Sequence, residues 1–170
     1  MEAGMAETTT PGAAAENEID TEIYPMPGFV TFTVTDVAAA TRWYVEGLGF
    51  VILAELPGPD DTPALVHLRR HRYQDILLVP VQPGEVDALQ PRGHGVRYGV
   101  RAGSEDLSAR AAQAGKVGGG TVEGPARTPW NTLDLICRDP DDYEVVLTQP
   151  VAADLVDQQF ADTVRRSVRA

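Results

Sequence analysis

The chain has 170 residues, 43% of them hydrophobic, enough for one domain or for two small modules sharing a core. Its 14 basic and 25 acidic residues give a net charge of −11, which excludes the basic face that nucleic-acid binders need and disfavours anionic lipid. An acidic surface suits attraction of a cationic ligand, and equally suits simple solubility.

The first residues, 1–26, are rich in Ala, Thr, Glu and Gly, with almost no large apolar side chain before Ile19. Such a segment buries too little surface to offset its ordering entropy and reads as a disordered tail. Gly28 to Thr35 alternates, with Val30, Phe32 and Val34 on one face and Phe29, Thr31 and Thr33 on the other, the pattern of a strand. Asp36 (or Thr35) then caps a helix over Ala38 to Glu46 that Gly47 ends, with Trp43 expected in the core. Phe50 to Glu55 continues as a strand, the Pro- and Gly-rich stretch from Leu56 to Pro63 as a loop, and Ala64–Leu68 and Asp75–Val79 as two more strands. Pro80 to Gly95 reads as a linker.

The same order follows again. Val96 to Arg101 is a strand with Arg97 and Gly99 on one face, and Ser104 caps a helix that Gly115 closes. Thr121 and Val122 begin a strand after three consecutive glycines. The last element is a hairpin from Leu133 to Leu147, turned at Asp139-Pro140-Asp141-Asp142, where Pro140 presets φ and the Asp side chains bond nearby donors. Beyond Pro150, Leu155, Phe160, Val164 and Val168 recur at near-helical spacing, with acids early and arginines late as a helix dipole favours. An amphipathic helix is expected over 150–170, against the body or a partner subunit. The expected class is therefore α+β, with two repeated βαβββ modules (28–80 and 94–149, within a 27–149 domain) forming a curved sheet around a cleft.

The opening V-x-D, W-Y and L-G-F at residues 34–50, with the closing D-P-D-x-Y-x-V-x-L from Asp139, resemble the vicinal oxygen chelate superfamily. That superfamily includes glyoxalase I, extradiol dioxygenases and the bleomycin-resistance binding proteins. The resemblance implies a cleft whose enzymes hold a divalent metal with His, Gln or Glu from the first and fourth strands of each unit. Those positions fall here on Phe29, Leu77, Arg97 and Val146, three carbon side chains and one cation, so no metal and no cofactor is expected. His67, His71 and His94 lack a ligand arrangement, and neither a Gly-x-Ser-x-Gly elbow nor a phosphate loop is present.

The cleft so implied is apolar with a polar rim, and its candidate ligand contacts are Phe29, Thr31, Asp75, Leu77, Arg97, Trp130, Asp134 and Val146. Trp130 reads either as a stacking platform or as a turn-anchoring core residue. Arg97, expected buried, needs Asp134, Glu144 or a ligand anion as partner. The pattern resembles the metal-free bleomycin-resistance branch, acidic and dimeric, which implies a homodimer that holds a small molecule, antibiotics among the candidates. The alternative is an enzyme of the same fold: one independent of metal, using Asp75, Asp134, Glu144 or His67 for acid–base work, or a metal enzyme with its ligands in another register. The lone Cys137 excludes an internal disulfide and fits a reducing interior. No membrane span or secretion leader is visible, so a cytoplasmic location is expected.

Overall fold

The computed structural model describes residues 21–23, 26, 28–82, 84–85 and 91–168. The tail expected over 1–26 falls almost entirely outside them. Strand β1 (Phe29–Val34) buries Phe32 and Val34 on the face that alternation assigns to the core. The Asp36 carboxylate accepts from the Ala39 N–H at 2.9 Å and starts helix α1 (Val37–Arg42). Where one helix to Glu46 was expected, α1 gives way to a π-helical turn, Trp43–Gly47. The wider turn allows the consecutive Trp43 and Tyr44 side chains both to enter the core. Strands β2 (Val51–Leu56), β3 (Leu65–Arg69) and β4 (Asp75–Pro80) complete the first unit.

The second unit repeats the order with β5 (Arg97–Arg101), α2 (Leu107–Val117), β6 (Thr121–Arg127), β7 (Thr132–Arg138) and β8 (Glu144–Pro150). Here the cap is Asp106, not Ser104: its carboxylate accepts from the Ser108 and Ala109 N–H groups. The helix also runs past Gly115 and stops at Gly118, whose φ of 70° suits a residue without Cβ.

Two four-stranded sheets result, ordered β1-β4-β3-β2 and β5-β8-β7-β6. In each, the first and fourth strands pair in parallel and the remaining pairs are antiparallel. The α+β expectation of two repeated units in a curved, unclosed arrangement holds. One face of each sheet packs into a common core, which joins Phe32, Leu68 and Ile76 to Val100, Leu135 and Leu147 with Trp43, Leu107 and Ala114. Close packing is visible at Gly120, where a Cβ would lie 2.3 Å from the Arg138 carbonyl oxygen.

After Pro150 come a 3-10 turn (Ala153–Leu155) and helix α3 (Gln158–Ser167), capped by Asp157. Asn131 ties its start to the β6–β7 hairpin by donating to the Asp157 carbonyl at 3.1 Å and accepting from the Asp157 N–H at 2.7 Å. Leu155, Val164 and Val168 on this segment are exposed. Among the described residues no helix is long and apolar enough to cross a membrane.

Candidate functional site

Register sorts the sequence-derived candidates by face. On the open side of the first sheet, one row runs Phe29, Asp75, Arg69 and Val51, and the next runs Thr31, Leu77 and His67. On the open side of the second, Arg97, Glu144 and Arg138 form one row, Gly99, Val146 and Ile136 the next, and Thr148 and Asp134 share a third. Phe29, Thr31, Asp75 and Leu77 thus share one surface and Arg97, Asp134 and Val146 another. Trp130 stands apart at the β6–β7 turn.

The environments of these residues differ. Phe29 is 51% exposed and Trp130 56%, so the reading of Trp130 as a core anchor is corrected: its side chain at the β6–β7 turn projects away from the shared core. Asp75 is fully buried; Arg69 grips its two oxygens with Nε at 2.7 Å and Nη2 at 3.2 Å, and His67 Nε2 lies 2.9 Å from the nearer one. Asp134 accepts from the Thr148 hydroxyl at 2.6 Å. Arg97 is not buried as expected. Its side chain is 63% exposed because β5 is an edge strand with a neighbour on one side only, and its partner is Glu144, which also bonds Arg138 at 3.0 Å.

Phe29, Leu77, Arg97 and Val146, the positions implied for metal ligands, supply no oxygen or neutral nitrogen, and Val146 among them is buried. Among the described residues no group of three or more His, Cys, Asp or Glu side chains is placed to hold a metal ion. The His67–Asp75 pair does not serve either, because a cation there would meet the Arg69 guanidinium.

Two adjoining cavities mark where a ligand can enter. One, of about 310 Å³, lies between the edge strands β1 and β5 and is walled by Val30, Thr31, Phe32, Val96, Tyr98 and Tyr143. The Phe32 and Tyr143 rings stack at 4.3 Å between centroids, and the Tyr143 hydroxyl donates to the Thr33 carbonyl. Burial, then the nearby Asp75 charge, raises the Tyr98 hydroxyl above its ordinary range, keeping it neutral. The other, of about 480 Å³, is lined by Arg92, His94, Arg97, Arg138, Asp142 and Glu144. Pro91, Gly93, His94, Val96 and Glu144 border both cavities, so an aromatic end and a charged end adjoin. Of the sequence-derived ligand contacts only Thr31 and Arg97 line this seam, together with Glu144, named as a partner for Arg97 and as an acid–base group. Arg92, Tyr98 and Tyr143 went unread: Arg92 sits in a Pro- and Gly-containing stretch taken as linker, and alternation alone assigned Tyr98 to the core side.

Residues 27–147 match the model of the Glyoxalase/Bleomycin resistance protein/Dioxygenase superfamily. Among solved structures, the chain is 28% identical to TnmS3, an antibiotic binding protein from Streptomyces sp. CB03234, over 72% of this chain and 93% of that one, with a TM-score of 0.53. A glyoxalase/bleomycin resistance protein from the same source is also 28% identical, over 71% and 97%, with a TM-score of 0.52. TioX from Micromonospora sp. ML1, at 18% identity over 74% and 97% with a TM-score of 0.53, shares the fold. No curated protein matches the chain.

Proposed function

The chain belongs to the glyoxalase/bleomycin resistance protein/dioxygenase superfamily, and we propose that within it the protein binds a small molecule, of the antibiotic class, without metal and without altering it. One observation carries this reading: the four positions where the resembled enzymes hold metal ligands are occupied here by Phe29, Leu77, Arg97 and Val146, which lie on the first and fourth strands of the two units. A divalent ion needs oxygen or nitrogen donors, and these side chains offer hydrocarbon and a guanidinium. The adjoining aromatic-walled seam is the kind of surface that holds a flat organic ligand. Two relatives at 28% identity, one an antibiotic binding protein, favour the same class.

The acid–base alternative asks for a carboxyl with its pKa moved toward neutrality in the cleft. Among the described residues the carboxyl so shifted is Asp139, pushed up to about 6 by burial, and it lies in the β7–β8 turn, buried, accepting from the Tyr44 hydroxyl. The reading includes a cytoplasmic homodimer, consistent with exposed Phe29, Val96 and Trp130. A thermal-shift screen against divalent metals, thiols and aromatic natural products tests it. Stabilisation by aromatic compounds and not by metals supports the proposal, and stabilisation by a metal alone overturns it.

A further inference from the structure

Arg92 is buried, and its guanidinium is only half used. Nη1 bonds Asp141, while Nε and Nη2 have no hydrogen-bond partner among the described residues. Buried N–H groups left unpaired are costly, so two on one side chain require a physical reason. Nε–H and one Nη2–H lie along the same edge of the planar group and point the same way, the fork that a carboxylate or phosphate accepts with two oxygens. Arg69 shows what that edge takes in this protein, since the same two atoms grip the Asp75 carboxylate.

Arg92 lines the charged end of the seam with Arg97, Arg138 and His94, its two unpaired nitrogens covered from solvent at the cavity wall. Glu144 is one carboxylate between two guanidiniums, and Asp142, the other acid lining the cavity, is exposed at the turn. Donors therefore outnumber acceptors there, while the adjoining end offers aromatic walls.

We infer that the seam takes a ligand with an apolar body and an oxyanion, a carboxylate or a phosphate monoester, and that the oxyanion docks on the Nε/Nη2 edge of Arg92 beside Arg97 and Arg138. The inference rests on the small-molecule reading above and names the chemistry of its ligand. It departs from the cationic ligand that the net charge suggested, because net charge acts on encounter whereas the local donors decide the contact.

The test is an NMR or calorimetric titration of the full chain with 2-naphthoate, 2-naphthyl phosphate and the neutral 2-naphthamide. At least one of the two anions binds roughly ten-fold more tightly than the amide, as a charge-assisted fork requires, and the tighter anion identifies the oxyanion. Arg92→Lys keeps a cation beside Asp141 but removes the fork, and abolishes the preference. Should that variant not fold, the exposed-site variants Arg97→Gln and Arg138→Gln carry the same test and each narrows the gap. Equal affinity for anions and amide, or a preference untouched by the variants, overturns the oxyanion assignment and leaves a small-molecule cleft standing. Failure of all three probes at millimolar concentration overturns both.

Discussion

Asp141 accepts two hydrogen bonds from Thr35, one from the backbone N–H at 2.9 Å and one from the hydroxyl at 2.7 Å, across 106 residues of chain. The same carboxylate is the partner of Arg92, so one side chain fastens the first unit, the second unit and the stretch between them. Asp141→Ala leaves the buried Arg92 guanidinium without a counter-charge and is expected to cost about 3–5 kcal/mol. Thr35→Val removes hydroxyl donation alone and costs about 1 kcal/mol. Urea denaturation of both variants and of the double variant measures the coupling; additive losses would contradict the contact.

Asp139 gives stability an unusual pH dependence. Burial raises its folded carboxyl from 3.8 to about 6, although it accepts from the Tyr44 hydroxyl and from the Asp141 and Tyr143 N–H groups. Between those values the folded chain keeps a proton that the unfolded chain releases, so this group's contribution falls as pH rises from about 4 to about 6. At about 1.4 kcal/mol per unit the effect is at most on the order of 3 kcal/mol. Asp139→Asn keeps an acceptor for both backbone donors and removes the titration. The stability of the variant relative to the parent should therefore rise across that window and stay level above it. A flat difference would show that Asp139 ionises normally.

Cys137 lies on the core side of β7, 1% exposed, and burial pushes its thiol up to about 12. As the thiolate is the reactive form, the native chain should not react with a disulfide reagent at pH 8, and labelling should proceed only in denaturant. Rapid stoichiometric labelling of native protein would contradict this packing.

These contacts explain why two distant sequence motifs were legible as one fold. V-T-D and W-Y supply Thr35 and Tyr44, D-P-D supplies Asp141 and Asp139, and the pairs bond each other directly. Asp142 in the β7–β8 turn adopts φ 68°, a conformation Asp tolerates better than most residues. Alternation likewise identified the open faces, because period two is local. The start of α2 was misplaced because Ser104 and Asp106 are both good caps, and what precedes the helix decides which is used. Arg92 was illegible for another reason: its partner lies 49 residues away, and no spacing rule marks a guanidinium that a later turn will cover. The exposure of Arg97 depends on β5 being an edge strand, which strand order fixes and periodicity does not.

Metal-free binding without chemical change is measured most directly by equilibrium dialysis of EDTA-treated protein against a panel of aromatic antibiotics, followed by mass spectrometry of the recovered compound. Saturable binding is expected that added Zn²⁺, Mn²⁺ or Fe²⁺ does not strengthen, with the compound recovered at its original mass. Binding that appears only with a divalent metal, or a changed mass on recovery, would contradict it.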